Sequence, residues 1–151
     1  MRTTIITVSA IMIAILGMIL FSNFVTSGNC LNSQGPPQNI INDNGIGPFT
    51  KVNLAPIDPV KVKKGLAIFT AKCNLCHELD VNKVGPPIRN AVKTYKPEFI
   101  LNMIVNPLEM QKSNVTVQGL LKKYNNVPMP DQKIAQDDAL AILDYLRSIA
   151  K

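Results

Sequence analysis

Cys73-Asn74-Leu75-Cys76-His77 is the stretch that decides how the rest of the chain is read. A C-x-x-C-H run is the attachment signature of c-type haem. Two thiols that add across the two vinyl groups of one haem must sit a fixed short distance apart, near a helix. The residue that follows them then presents its imidazole to the iron. The bare C-x-x-C part has two other readings, half of a structural zinc site or a thioredoxin-like redox pair. His77 is the only histidine and no second Cys pair exists, so a zinc site lacks ligands. A thioredoxin pair needs a βαβ setting, and the surrounding pattern shows none. One covalent haem c, held by Cys73 and Cys76 with His77 on its iron, is the reading left.

Outward from the motif, the apolar pattern is helical. Asp58-Pro59 opens a helix well, with Asp as the N-cap and Pro at the first helical position. Val62, Leu66 and Phe69 follow at helical spacing and predict one apolar face running into Cys73. Gly65 interrupts this helix at a cost of roughly 1 kcal/mol against Ala. Pro97 opens a second helix with Glu98 near its positive end and Phe99, Ile100, Met103 and Ile104 as its stripe. It is expected to stop at Asn106-Pro107, since the residue before a proline is pushed out of the helical region. A last helix is expected over about residues 136–150, on Ala139, Ile142, Leu143, Leu146 and Ile149.

Taken in order, these features resemble the small monohaem class I cytochromes c. The set is Gly65 and Phe69, the pentapeptide, Gly85-Pro86-Pro87-Ile88, Val127-Pro128-Met129-Pro130 and Leu143-Asp144-Tyr145-Leu146. The resemblance covers residues 58–151. Pro97 to Met103 followed by Asn106-Pro107 looks like a bacterial membrane-associated branch. The resemblance implies an all-α fold in which N- and C-terminal helices cross around the haem, with Gly65 at the crossing. It implies that the Pro86 carbonyl accepts from His77 Nδ1, leaving Nε2 for iron. It places Ile88 against the haem, while Arg89 is either a propionate partner or a surface residue. Many members carry Trp where Phe99 stands, so a propionate contact is lost or passes to Tyr95 or Tyr124.

The second axial ligand has to be sought among the methionines, because no other histidine exists. Met103 sits in a helical apolar pattern and reads as core. Met110 reads as a packing residue with a smaller claim on the iron. Met129 lies between Pro128 and Pro130, which keep the loop extended, and it precedes the last helix as the family's ligand does. Met129 is the expected ligand; an iron with no second protein ligand stays open beside it.

The N-terminal part is of another kind. An uncharged run from Thr3 to Val25, apolar at its centre, reads as an export signal or membrane anchor over residues 1–29. As a helix it would span roughly 35 Å, enough for a bilayer. Cys30 is left over once the haem takes its two thiols. It stands where a lipoprotein cysteine stands, although Ser27-Gly28-Asn29 makes a poor lipobox. Lipidation at Cys30, a retained helix and full release are the three fates. Residues 30–57, rich in Asn, Gly and Pro, read as a tether, loose over 31–44 and partly docked over 45–57. Export to the periplasmic side of the inner membrane or the cell surface follows, with membrane association.

Net charge is +6 and the pI near 9.3, which suits redox partners with acidic docking surfaces. No basic run is long enough for nucleic acid. His/Met ligation raises the reduction potential and leaves no position for a small-molecule substrate. The chain therefore reads as an electron carrier rather than an enzyme, shuttling between respiratory membrane complexes and an exported reductase or oxidase. A haem enzyme or gas sensor with an open iron, and a fixed cytochrome subunit of a larger complex, are the rival readings.

Overall fold

Asp58 ends an extended segment and caps the first helix: its carboxylate accepts the Val60 N–H at 2.8 Å, and Pro59 takes the first helical position. This helix, α1 (Pro59–Ile68), does not stop before the motif. It widens into a single π-helical turn, Phe69–Cys73, in which the Asn74 N–H donates to the Phe69 carbonyl at 2.9 Å. Such turns concentrate at functional sites. The computed structural model describes residues 43–151; the expected signal, Cys30 and the tether up to residue 42 lie outside the described residues. The other helices are α2 (Ala91–Thr94), α3 (Pro97–Val105), α4 (Pro107–Ser113), α5 (Val115–Lys123) and α6 (Gln136–Ile149). No strand occurs among the described residues, and the fold is all-α. None of the described helices is long and apolar enough to cross a membrane.

α1 and α6 cross at Gly65, which is buried. A Cβ there would run into the backbone carbonyl oxygen of Ala141, so only glycine lets the two backbones approach this closely. The propensity loss in α1 is offset by that contact. Below the crossing, Phe69 meets Tyr145 with ring centroids 5.4 Å apart and tilted. Ala139, Ile142, Leu143 and Leu146 of α6 complete this core with Ile100 and Leu101 of α3. Leu66 is a correction: it is 45% exposed, so the inward face of α1 is carried by Val62, Gly65 and Phe69 instead.

A second cluster, Phe99, Met110 and Val117, sits where α3, α4 and α5 meet. α4 and α5 carry no apolar period in the sequence that marks them as helices. Pro107 both ends α3 and opens α4. Asn114 ends α4 and caps α5, its side-chain oxygen accepting from Val117 N–H at 3.0 Å. These short helices break at capping residues rather than at changes of apolar period.

The docking expected over residues 45–57 is present, and it also includes Asp43 and Asn44, expected to be loose. Residues 43–52 form a strap against α3–α5. Buried Asn102 donates to the carbonyls of Asn44 and Phe49, each at 2.9 Å, and accepts the Phe49 N–H at 3.0 Å. Asn106 donates to the Ile46 carbonyl, and the Glu98 carboxylate accepts the Val52 N–H at 2.7 Å. Asp43 accepts from Asn114 and Thr116. The folded unit therefore includes Asp43, and the boundary expected at Asp58 moves N-terminally. The side-chain amides of α3 and α4 give the irregular strap the backbone partners it would otherwise lack.

Candidate functional site

The π-helical turn delivers Cys73 to the edge of a cavity, and a tight turn follows: the Cys76 and His77 N–H groups both donate to the Cys73 carbonyl, at 3.1 and 2.9 Å. Cys73, Cys76 and His77 thereby line one cavity of about 410 Å³. That volume falls within the usual 300–1,000 Å³ of ligand pockets. Both thiols are half-buried and unpaired. Burial pushes the Cys73 thiol up, which the neighbouring Lys72 charge partly opposes.

His77 is held from two sides. Its Nδ1 lies 2.9 Å from the Pro86 carbonyl oxygen, an acceptor that makes Nδ1 the protonated nitrogen and leaves Nε2 as the metal-binding one. Gly85 lies flat against the ring: a Cβ there would meet Cε1 at 2.5 Å and Nδ1 at 2.9 Å. The Gly85 N–H in turn donates to the Cys76 carbonyl at 2.9 Å, closing the loop on the motif. Ile88 also lines the cavity. Arg89 does not; it forms a fork with Asp80, at 2.6 and 2.7 Å, and donates to the Ile149 carbonyl.

Across the cavity the three methionines separate. Met129 and Met103 line it. Met110 does not: it is fully buried behind Phe99 and Val117, and its sulfur accepts the Ile46 N–H at 3.0 Å. Met110 is a packing residue. Met103 also packs on the Phe99 cluster, as a partly buried core residue. Met129 belongs to an extended loop, and its backbone is fastened by Gln111 of α4. Gln111 Oε1 accepts the Met129 N–H at 2.7 Å, and Gln111 Nε2 donates to the Met129 carbonyl at 2.8 Å. Nothing in the spacing of the sequence singles out Gln111.

Tyr95 and Tyr124 both line the cavity. Tyr95 stacks on Phe99 at 4.7 Å, and burial pushes its phenol up. The Tyr124 hydroxyl donates to Asn82 at 3.1 Å. Val84 and Val127, 44% and 47% exposed, mark where the cavity opens to the surface, and Lys72 and Lys123 line it too.

The donor set fits a haem: two free thiols, an imidazole with its Nε2 left for metal, and a mostly apolar wall. The cytochrome c family model matches residues 62–150. This chain belongs to the cytochrome c family. Among solved structures, the cytochrome is similar to the cytochrome c from Rhodothermus marinus, at 31% identity and a TM-score of 0.68. That match covers 76% of this chain and 97% of the other. An engineered form of that protein, Rma TDE, matches at 33% identity and a TM-score of 0.65, over 69% of this chain and 90% of its own. The same engineered protein bound to a carbene intermediate matches at 32% and 0.63, over the same shares. No curated protein sequence matches. The cytochrome has the class I fold, carries a covalently bound haem c and is a haem electron carrier.

Proposed function

We propose that the carrier works with one haem ligated by His77 and Met129. When bound, the haem supplies a one-electron couple between ferric and ferrous iron. Cys73 and Cys76 hold it by thioether bonds. Pro86 and Gly85 fix the imidazole of His77 so that Nε2 faces the metal. The Met129 sulfur would be the second protein donor to the iron, and a thioether there would favour the ferrous state and raise the potential. Phe69, Ile100, Ile142 and Leu146 give the haem ring an apolar wall to pack on. The single observation that carries this reading is how the methionines separate: Met129 lines the same cavity as Cys73, Cys76 and His77 from an extended loop, Met103 also reaches the cavity but packs into the Phe99 cluster, and Met110 lies outside it.

With both axial positions taken by protein, the cytochrome performs no substrate chemistry. It receives and passes on single electrons between respiratory membrane complexes and an exported reductase or oxidase. The apolar opening at Val84 and Val127, beside Lys72 and Lys123, suits a partner with an acidic rim. The N-terminal apolar segment, with lipid on Cys30 or as a retained helix, keeps the domain at the outer face of a membrane.

The ligation is tested on the oxidised holoprotein by the weak far-red sulfur-to-iron absorption. The wild type should show it, Met129→Ala should lose it, and Met103→Ala and Met110→Ala should keep it. Loss of the band in Met103→Ala, with Met129→Ala unaffected, would move the ligand to α3.

A further inference from the structure

Met129 sits in a segment with no regular structure of its own, yet an axial ligand has to be held in place against water and other donors. Gln111 supplies the hold. Its amide pairs with the Met129 backbone on both sides, accepting from the N–H at 2.7 Å and donating to the carbonyl at 2.8 Å. This is the pairing a neighbouring strand would give, made instead by one side chain. The second Nε2 proton donates to the Pro107 carbonyl at 2.8 Å, one turn back in α4, which fixes the amide's orientation. α4 is itself locked from behind. Met110, the preceding residue, is fully buried and takes the Ile46 N–H on its sulfur, and Asn106 holds the Ile46 carbonyl.

We propose that Gln111 is the positioning residue for the axial methionine, clamping the Met129 backbone to α4 so that the sulfur stays on the iron. The flanking Pro128 and Pro130 have no N–H to offer a neighbour, so the Met129 N–H is the one donor in this triplet that can be clamped. Gln111 touches neither the reacting metal nor the thioether. It acts through the backbone of Met129, which limits how far the loop can swing when a competing ligand enters.

Added imidazole tests this on the ferric holoprotein, because it must break the iron–sulfur bond and form an iron–nitrogen bond in its place, with no electron transferred. Gln111→Leu keeps an apolar side chain out to Cδ and removes both clamp bonds. It should bind imidazole about 30-fold more tightly than the wild type, from the net worth of two hydrogen bonds. Its far-red band should also weaken. Gln111→Glu retains an acceptor for the Met129 N–H and should fall between. Asn114→Ala, which removes the cap of α5 and the contact with Asp43, controls for a merely loosened fold. It should lower the thermal midpoint and leave imidazole affinity unchanged.

The inference rests on His77/Met129 ligation, and Met129→Ala separates the two. If the wild type already binds imidazole as tightly as Met129→Ala, the ligation reading fails and the clamp with it. If Met129→Ala binds more tightly but Gln111→Leu matches the wild type, ligation stands and the role of Gln111 is overturned. Equal tightening in Asn114→Ala and Gln111→Leu would likewise overturn it, since the effect would then come from general loosening.

Discussion

The two walls of the haem cavity are built by different means. The His77 wall is local: the bonds of the π-helical turn, the Cys73–His77 turn and the Gly85-Pro86 loop each join residues nine positions apart or fewer, and each step fixes the next. The Met129 wall is assembled from afar. Its loop is fastened by Gln111, eighteen positions back, and the helix bearing Gln111 is braced by a strap more than fifty residues earlier still. The comparison teaches where adjustability resides. A wall held by neighbours in sequence behaves as one unit, whereas a wall held by distant side chains can be loosened one contact at a time. If Met129 ligates the iron as proposed, ligand exchange is set on the Met129 side, where single contacts can be removed, and not on the His77 side.

The largest effect should come from removing the strap's anchor. Asn102→Ala deletes three hydrogen bonds to Asn44 and Phe49 from a fully buried position. A loss of about 3 kcal/mol is expected in denaturant unfolding, at roughly 1 kcal/mol for each bond. Amide exchange should speed up along α4 and the strap while the His77 N–H stays protected. Equal exchange on both walls would mean they are one cooperative unit.

Gly85→Ala attacks the local wall instead. Its Cβ would press on the His77 ring at 2.5 Å, so the imidazole or the loop has to shift. About 1–3 kcal/mol of destabilisation is expected from such overpacking. The ferric spectrum should show altered histidine ligation while the far-red methionine band persists. An unchanged spectrum would show that the loop yields and the ring does not.

Gly119→Ala should give the smallest effect, and a favourable one. Gly119 is exposed in α5, and an added Cβ there meets no atom within 4 Å. Thermal unfolding should show a gain of about 0.4–1 kcal/mol from lower unfolded-state entropy and better helix propensity. A further rise in protection confined to α4 and α5 would mark the methionine wall as separately tunable.

The same contrast explains what the sequence revealed. The motif and the Asp58-Pro59 start are readable because each depends on residue type at short range, whereas the Gly65 crossing and the Pro86 acceptor follow only from the resemblance to the class I cytochromes c. α6 is readable from its helical period, and α3 from Pro97 and its proline-limited end. The strap and Gln111 are not, since an amide side chain that pairs with backbone leaves no periodic trace. Asn102 looked like one more polar position in an apolar helix, yet it is fully buried and anchors residues 44–49. α4 and α5 are hidden for a related reason: their buried residues, Pro107 and Met110 in one and Val117 in the other, are too few to make a stripe, and their ends are set by Pro107 and Asn114. Leu66, placed inside by spacing alone, faces out because the crossing at Gly65 sets the rotation of α1.

Carbon monoxide binding to the ferrous holoprotein tests the central claim, that the methionine wall closes the iron and makes this chain a carrier. The wild type should bind the gas slowly and weakly, with Met129→Ala binding it rapidly, since no second histidine exists to fill the position. Rapid binding by the wild type, equal to that of Met129→Ala, would contradict the account and put an open iron in place of the carrier.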